Sequence, residues 1–251
     1  MKIDGMSHQP VEINLGRPAP YGESSGQAEV DVCFLAPSGE SWTVPAFQAE
    51  DNSVRVRFAA PDPGRYTFEV HCTNPKDCDL HEITGELDLK PYDGTSALYR
   101  HGRLKISENG MAHLAHADGT PFLWVGDTWW GGGMDALRWP DDVKRLTADR
   151  VQKGFSVIQL VAGPVPWCPG DPAKYPAQRN EGGPPWEDGW KRLNPAYYDR
   201  LDKRIAFLVE AGLVPCIFGM WGHHLLAMGV ENAKRHWRNL VARYGAYPVV
   251  W

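Results

Sequence analysis

The chain has 251 residues, 43% of them hydrophobic, which is enough for one large domain or two smaller ones with proper cores. A formal net charge of -5 argues against nucleic-acid binding, which usually needs a basic face. No apolar run reaches the roughly 18 residues that would span a membrane. The first ten residues also lack the apolar segment of a secretory signal. We therefore expect a cytoplasmic protein if this N-terminus is authentic, and a secreted or periplasmic one if a signal was removed.

Cysteine and tryptophan are the informative residue types. The cysteines are an odd, scattered set, so reduced thiols are the expectation and a Cys72–Cys78 bridge is the alternative. They are Cys33, Cys72, Cys78, Cys168 and Cys216. The chain also has 11 tryptophans, whose flat apolar faces either fill cores or stack on the C–H faces of sugar rings.

Residues 8–92 predict short strands separated by turns. The segment 54–58 alternates apolar and charged residues, and 65–72 alternates again after the turn 61–64. Further strands are predicted at 30–35, 40–45 and 85–90. Regular short strands of this kind favour an antiparallel β-sandwich. The predicted organisation is an immunoglobulin-like or fibronectin-like sandwich over 1–93 and a linker over 94–101.

From residue 102 the pattern changes to strands that alternate with helices. A hairpin of 104–106 with 112–114 comes first, and buried strands are predicted at 122–126, 156–161 and 213–219. Helices are predicted from Asp141 to Gly154, from Asn194 to Gly212 and over 231–244. Their core-facing residues are predicted to be Val143, Leu146, Val151, Tyr198, Leu201, Ile205, Leu208, Val209, Trp237, Leu240 and Val241. A fourth strand begins at Tyr247–Trp251.

Apolar strands joined by helices indicate a parallel sheet. The fold class is therefore multidomain β plus α/β, a β-sandwich followed by an incomplete TIM (β/α) barrel over 102–251. A full barrel takes about 250 residues, so this region supplies its first half. An open doubly wound sheet is the alternative, but Gly131-Gly132-Gly133 is not the Gly-rich loop of a dinucleotide site.

Candidate site residues follow the predicted barrel strands, because barrel enzymes work at the carboxyl ends of their strands. A loop of about thirty residues follows the second strand, and loops of that length are uncommon unless functional. The predicted substrate-binding residues are Asp127, Trp129, Trp130, Gln159, Trp167, Trp221, His223 and His224. Vicinal hydroxyls and sugar rings are bound well by the groups expected at this end of the barrel, which are an acid, an amide, imidazoles and flat aromatic faces.

Other roles stay open for the polar members of this set. Asp127 could cap the following segment or pair with a buried arginine. One of His223 and His224 could be packed and the other solvated. Adjacent histidines point in different directions and do not usually ligate one ion, so we predict no metal and no cofactor.

The segments 109–110, 118–130 and 150–159 resemble the signature of the apiosidase-like glycoside hydrolases, and Asp118-Gly119-Thr120-Pro121-Phe122 with Gly126-Asp127-Thr128-Trp129-Trp130 is its most specific part. The resemblance implies a barrel enzyme of bacterial polysaccharide breakdown, often preceded by a small β-sandwich. The run Gly131-Gly132-Gly133 departs from the pattern and predicts a mobile loop.

The resemblance also implies two catalytic carboxylates, placed after the fourth and seventh barrel strands. Both expected positions lie beyond Trp251, so we expect these 251 residues to be an inactive fragment of a glycosidase that acts on plant-type glycans such as pectic side chains. The expected partner is a carbohydrate, and we expect no binding to nucleic acid or membranes. We also expect self-association through the open barrel edge. A non-catalytic carbohydrate-binding protein and a β-sandwich interaction module are the alternatives.

Overall fold

The computed structural model describes residues 1–17, 29–75, 78–107, 113–165, 167, 178–187 and 189–251. The chain divides into two compact units. The first is Met1–Gly94 with Val241–Ala246, and the second is Thr95–Leu240 with Tyr247–Trp251. No helix in the described ranges is long and apolar enough to cross a bilayer.

The first unit is built from strands. They are β1 (Lys2–Met6), β2 (Val11–Gly16), β3 (Val30–Leu35), β4 (Ser41–Pro45), β5 (Phe47–Gln48), β6 (Val54–Phe58), β7 (Gly64–Cys72) and β8 (Thr84–Lys90). Within the described residues they form one sheet of order β1-β8-β7-β3-β4 and another of order β2-β6-β5. The predicted strands at 30–35 and 54–58 are confirmed, and those at 40–45, 65–72 and 85–90 are confirmed to within one residue.

One apolar core lies between these two sheets. It includes Val32 and Phe34 from one sheet and Val56 and Phe58 from the other, all nearly or fully buried. The rings of Phe34 and Phe58 stack with centroids 4.1 Å apart. A strand-rich N-terminal region is therefore confirmed. The expectation of a wholly antiparallel arrangement is wrong, because β1 pairs with β8 in parallel.

The cysteine expectation also needs correction in this unit. Cys72, the last residue of β7, is joined to Cys78 by a disulfide, whereas reduced thiols were expected. Both residues are buried, and only six positions separate them along the chain. Cys33 and Cys216 are free thiols, and Cys168 lies outside the described residues.

The second unit alternates strands and helices. Its elements are α1 (Ala97–Arg100), β9 (Leu104–Ile106), β10 (Leu114–His116), β11 (Gly126–Trp129), α2 (Asp141–Gln152), β12 (Val157–Val161), β13 (Trp186–Glu187), β14 (Arg192–Leu193), α3 (Pro195–Glu210), β15 (Val214–Phe218) and α4 (Gly222–Tyr244), of which the last turn, from Val241, belongs to the first unit. In the described part of the chain, β11, β12 and β15 form a parallel sheet in that order. Val250 continues it through a parallel bridge to Cys216, which confirms the predicted start of a further strand.

The helices match their predictions best where capping and periodicity agree. The side chain of Asn194 accepts a hydrogen bond from the amide of Ala196, and Pro195 starts α3. The predicted inner face of α3 is buried throughout. In α2, Val143 is buried but Val151 is exposed, so Val151 was wrongly placed in the core.

Helix α4 begins earlier than predicted and is broken at Gly229, which has a positive φ of 78°. Leu240 is buried as predicted. Trp237 and Val241 are exposed, contrary to prediction. The break at Gly229 precedes the predicted range 231–244, so it accounts for the earlier start of the helix and not for the exposure of Trp237 and Val241.

The first strand of this parallel sheet lies four residues later than predicted. Residues 122–125 are not a strand, and Leu123 and Trp124 are exposed. Instead, the Ser156 hydroxyl donates to the Leu123 carbonyl at 2.6 Å and accepts from the Val125 amide at 2.9 Å. The Val125 carbonyl also accepts from the amides of Ser156 and Val157, at 2.9 and 3.1 Å, so the Ser156 side chain adds to backbone hydrogen bonds just before the strand begins at Gly126.

The glycine run that was predicted to be mobile is tightly packed. A Cβ on Gly132 would lie 3.0 Å from the Trp129 carbonyl oxygen, and a Cβ on Gly133 would lie 3.0 Å from Leu201 Cδ1 and 3.1 Å from the Val161 carbonyl oxygen. These glycines therefore permit a close approach of the loop to β12 and α3.

Replacing Gly133 with alanine should destabilise the protein by about 1–3 kcal/mol, because the new methyl group overpacks a buried contact. Gly222→Ala is the matched control, since no atom lies within 4 Å of its Cβ position, and it should change stability by less than about 0.5 kcal/mol. Chemical denaturation measures both, and equal effects of the two substitutions would contradict this account.

Candidate functional site

The two faces of the second unit's sheet differ: Asp127 contacts α2 on one, and Thr128 and Phe218 are exposed on the other, which we call the open face. The Thr128 hydroxyl donates to Gln159 Oε1 at 3.3 Å, and the two residues are register partners on β11 and β12. Cys216 pairs with Gln159 on β15. Since side chains alternate along a strand, Thr128, Gln159, Cys216 and Phe218 share one face.

Asp127 lies on the opposite face of β11. Its Oδ2 accepts hydrogen bonds from Arg150 Nε on α2 at 2.6 Å and from Trp129 Nε1 at 2.8 Å, and its Oδ1 accepts from the Thr128 amide at 2.8 Å. Burial raises the pKa of this carboxyl, but the hydrogen bonds from Arg150, Trp129 and Thr128 outweigh it and leave the pKa below its usual value. Asp127 therefore links β11 to α2, which is the arginine-partner role left open by the sequence.

Trp129 lies on the same face of β11 as Asp127. Its side chain is buried, and its indole N–H is used by Asp127. The structure therefore does not bring Asp127 and Trp129 together with Gln159.

Four other aromatic rings converge at the carboxyl ends of the strands. Trp130 follows β11, Trp167 follows β12, Phe218 ends β15 and Trp221 follows it. Ring centroids are 6.0 Å apart for Trp130 and Trp167, 5.6 Å for Trp130 and Trp221, and 4.4 Å for Phe218 and Trp221. We call these four residues the aromatic platform. Sequence reasoning missed Phe218, although its spacing of two from Cys216 would have placed it on the open face.

The platform is exposed on one side and supported on the other. Trp130, Trp167 and Phe218 are exposed, whereas Trp221 is half-buried and packs on Met134, Val161 and Val165. Trp130 and Trp167 are nearly parallel, with 15° between their planes. A sugar ring sandwiched between two such planes would need a separation of roughly 7–8 Å, two van der Waals contacts, so a ligand must stack on the outer surface of the pair.

The two histidines have different environments. His224 is fully buried, and its Nδ1 accepts a hydrogen bond from the Trp221 amide at 3.2 Å. His223 is half-buried, its ring lies 4.2 Å from that of His224, and its Nε2 has no hydrogen-bond partner among the described residues. His224 thus supports Trp221 from below and is not available to a ligand.

A buried histidine outside the predicted set also supports this edge. His236 Nε2 bonds the Gly219 carbonyl at 2.9 Å, just before Trp221, and the Tyr198 hydroxyl lies 3.2 Å from its Nδ1. Burial lowers the pKa of His236 to about 4, although the bond to Gly219 partly opposes the shift. No group of three His, Cys, Asp or Glu side chains within the described ranges could hold a metal ion.

A groove of about 690 Å³ lies on the helix-covered side, against α2. Arg138 and Arg145 line it and share Asp142 as ion-pair partner, while Arg150 and Lys153 both pair with Asp149. The cations are thus largely neutralised within the protein, and the groove does not include the aromatic platform.

The second unit is thus a strand–helix region with an exposed aromatic platform at the carboxyl ends of three parallel strands. The apiosidase-like catalytic domain family matches residues 108–251, so the chain belongs to the apiosidase-like family. A domain of unknown function, DUF5060, matches residues 6–73.

Solved structures agree with this assignment. A proposed glycoside hydrolase from Bacteroides vulgatus has a TM-score of 0.74 at 18% identity, over 99% of this chain and 48% of its own. Another structure, named glycoside hydrolase, has a TM-score of 0.51 at 25% identity, over 62% of this chain and 35% of its own. This chain therefore spans about half the length of the first of these structures. Among curated proteins there is no match.

Lowering the pH from about 6.5 to about 4 should weaken folding through His236. Its pKa is depressed only in the folded state, so the unfolded chain takes up the proton first and stability falls across this window by up to a few kcal/mol. Urea denaturation at several pH values measures the slope. His236→Gln should flatten the slope relative to wild type, and parallel curves for the two proteins would contradict the assignment.

Proposed function

We propose that the second unit binds a carbohydrate on the aromatic platform, as the substrate-binding part of a glycoside hydrolase (β/α) barrel. The observation that carries this proposal is the convergence of Trp130, Trp167, Phe218 and Trp221 at the carboxyl ends of three neighbouring parallel strands. Ligands of barrel enzymes bind at this edge, and exposed indoles provide flat apolar faces there.

Gln159 supplies the polar contact in this proposal. It lies on the open face, half-buried, with its amide oxygen already bonded to Thr128. Its amide group therefore retains capacity for a sugar hydroxyl or ring oxygen. His223, two residues after Trp221 and half-buried, is the remaining imidazole of the predicted set that could contact the ligand, while Asp127, Trp129 and His224 act as supports.

We further propose that these 251 residues bind the glycan without hydrolysing it. Glycosidases need two carboxylates on either side of the scissile bond. In the described part of this edge, Asp127 is paired with Arg150, and Glu181 is paired with Arg204. These two carboxylates therefore hold secondary structure together. Asp135, on the loop after β11, is a further carboxyl at this edge; it is exposed, and desolvation and the nearby Glu181 raise its pKa. One such carboxyl does not replace the pair that a glycosidase needs.

The substrate class that we propose is a pectic or hemicellulosic glycan, which is supported by the apiosidase-like family description alone. Native electrophoresis in gels that contain soluble pectin or xylan tests binding, and release of reducing sugar tests hydrolysis. Retardation without sugar release is expected. Clear hydrolysis would overturn the non-catalytic proposal, and no retardation in either gel would overturn the substrate class.

Trp130→Ala and Trp221→Ala should each weaken glycan binding by about 2 kcal/mol or more, roughly thirtyfold, because each removes a central aromatic anchor. Trp124→Ala is the matched control, since Trp124 is exposed to a similar degree as Trp130 but precedes β11 at the opposite end of the strand. Calorimetric titration with the retarded glycan measures the losses. Equal losses for Trp124→Ala and Trp130→Ala would argue against the platform as the binding surface.

Self-association remains a prediction. The predicted edge is that of the fourth strand, where Val250 bridges Cys216 and the exposed Trp251 invites contact between copies. Sedimentation velocity over a range of concentrations tests this, and a single monomeric species throughout would contradict it.

A further inference from the structure

We propose that Arg204 is a positioning residue for the aromatic platform, because it fixes the loop that starts at Trp130 and carries Met134 beneath Trp221. The expected effect on glycan binding rests on the proposed function. The effect of Arg204 on the position of the loop can be tested without any ligand.

Arg204 is a buried cation in the middle of α3, only 1% exposed. Its Nη1 donates to the carbonyl of Gly132 at 3.1 Å, to that of Met134 at 3.4 Å and to that of Leu137. Its Nη2 donates to Glu181 Oε1 at 2.7 Å. One guanidinium therefore gathers three carbonyls of the loop after β11 and one carboxylate of the loop after β12.

The loop folds into consecutive turns around this point. The Gly132 amide donates to the Trp129 carbonyl at 2.8 Å, and the Met134 amide donates to the Gly131 carbonyl at 3.0 Å. Asn180 Nδ2 donates to the Gly133 carbonyl at 3.2 Å. Arg204 and Asn180 donate to the carbonyls of Gly132 and Gly133, which are both buried and would be costly to leave without a hydrogen bond. The Met134 carbonyl also accepts from the Leu137 amide at 3.1 Å.

Two members of the aromatic platform depend on this loop. Trp130 is its first residue, and Met134 packs with Val161 and Val165 under Trp221. A loop held at fixed points presents Trp130 and Trp221 in one arrangement before a ligand arrives. Preorganisation of this kind increases affinity, because fewer side chains must be immobilised on binding.

Arginine and lysine are not equivalent at this position. The planar fork of Arg204 donates to carbonyls on one side and to Glu181 on the other, whereas a lysine ammonium is a single point that cannot span both. Arg204→Lys keeps the positive charge near Glu181 and Asp135, so it tests the geometry of the fork. Lys203→Met is the matched control, since Lys203 is the neighbouring exposed residue on α3.

The test is ¹⁹F NMR of the full chain labelled with 5-fluorotryptophan, with signals assigned by Trp130→Phe, Trp221→Phe and Trp42→Phe. In Arg204→Lys, the Trp130 and Trp221 signals should broaden or split, while the Trp42 signal in β4 stays unchanged. Binding of pectin or xylan oligosaccharide, whichever the wild type binds, should weaken roughly threefold to tenfold, as expected when a few side chains lose their preset positions. Lys203→Met should match wild type in both measurements.

Sharp, unshifted Trp130 and Trp221 signals in Arg204→Lys would overturn the positioning role, whatever the binding result. If the wild type binds neither glycan, the proposed function fails, and the NMR spectra still decide the role of Arg204. If Arg204→Lys does not fold, the same measurement is made on Glu181→Ala, which removes the hydrogen-bond partner of Arg204 Nη2. Broadening at Trp130 then supports the proposal, and a spectrum identical to wild type overturns it.

Discussion

The register between β11 and β12 is the constraint on which the candidate site depends. It pairs Thr128 with Gln159, and the alternation of side chains then assigns every neighbour to a face. Asp127 and Trp129 turn toward α2, where Arg150 neutralises the carboxylate. Gln159, Cys216 and Phe218 turn to the open face, beside the exposed indoles. A shift of one residue would exchange the two sets and bury the wrong polar groups.

An exposed aromatic surface needs support from beneath, and buried polar side chains provide it here. Arg204 binds loop carbonyls on one side of the aromatic platform, and His236 binds the Gly219 carbonyl on the other. The Nδ1 of His224 accepts a hydrogen bond from the Trp221 amide. These groups are fully buried and hydrogen-bonded, so each holds a loop at a defined point. The same burial makes them unavailable to a ligand, which separates the groups that bind from the groups that position.

Family membership and site geometry describe different parts of the function. The apiosidase-like match covers residues 108–251, and the similar structures are named glycoside hydrolases. The described residues bring four aromatic rings to the carboxyl ends of the strands, with Gln159 in the middle of β12, and these are the groups on which the proposed sugar binding rests. Asp127 and Glu181 in this region are paired with arginines, whereas Asp135 is an exposed carboxyl with a raised pKa. The geometry therefore supports substrate binding more directly than it supports bond cleavage.

The sequence by itself determined most of the strands, the start of α3 and the apolar face of that helix, because alternation, capping and helical period are local properties. It also identified the tryptophans of the platform, through their position after apolar strands. Only the tertiary structure decided where β11 begins, because the apolar run 122–126 is equally compatible with several registers until Ser156 binds Leu123 and Val125. Likewise, no local pattern could show that Asp127 faces Arg150, that His224 is buried, or that Arg204 binds a loop about seventy residues earlier in the chain. Those facts depend on partners distant in sequence, which come together only when the sheet and helices pack.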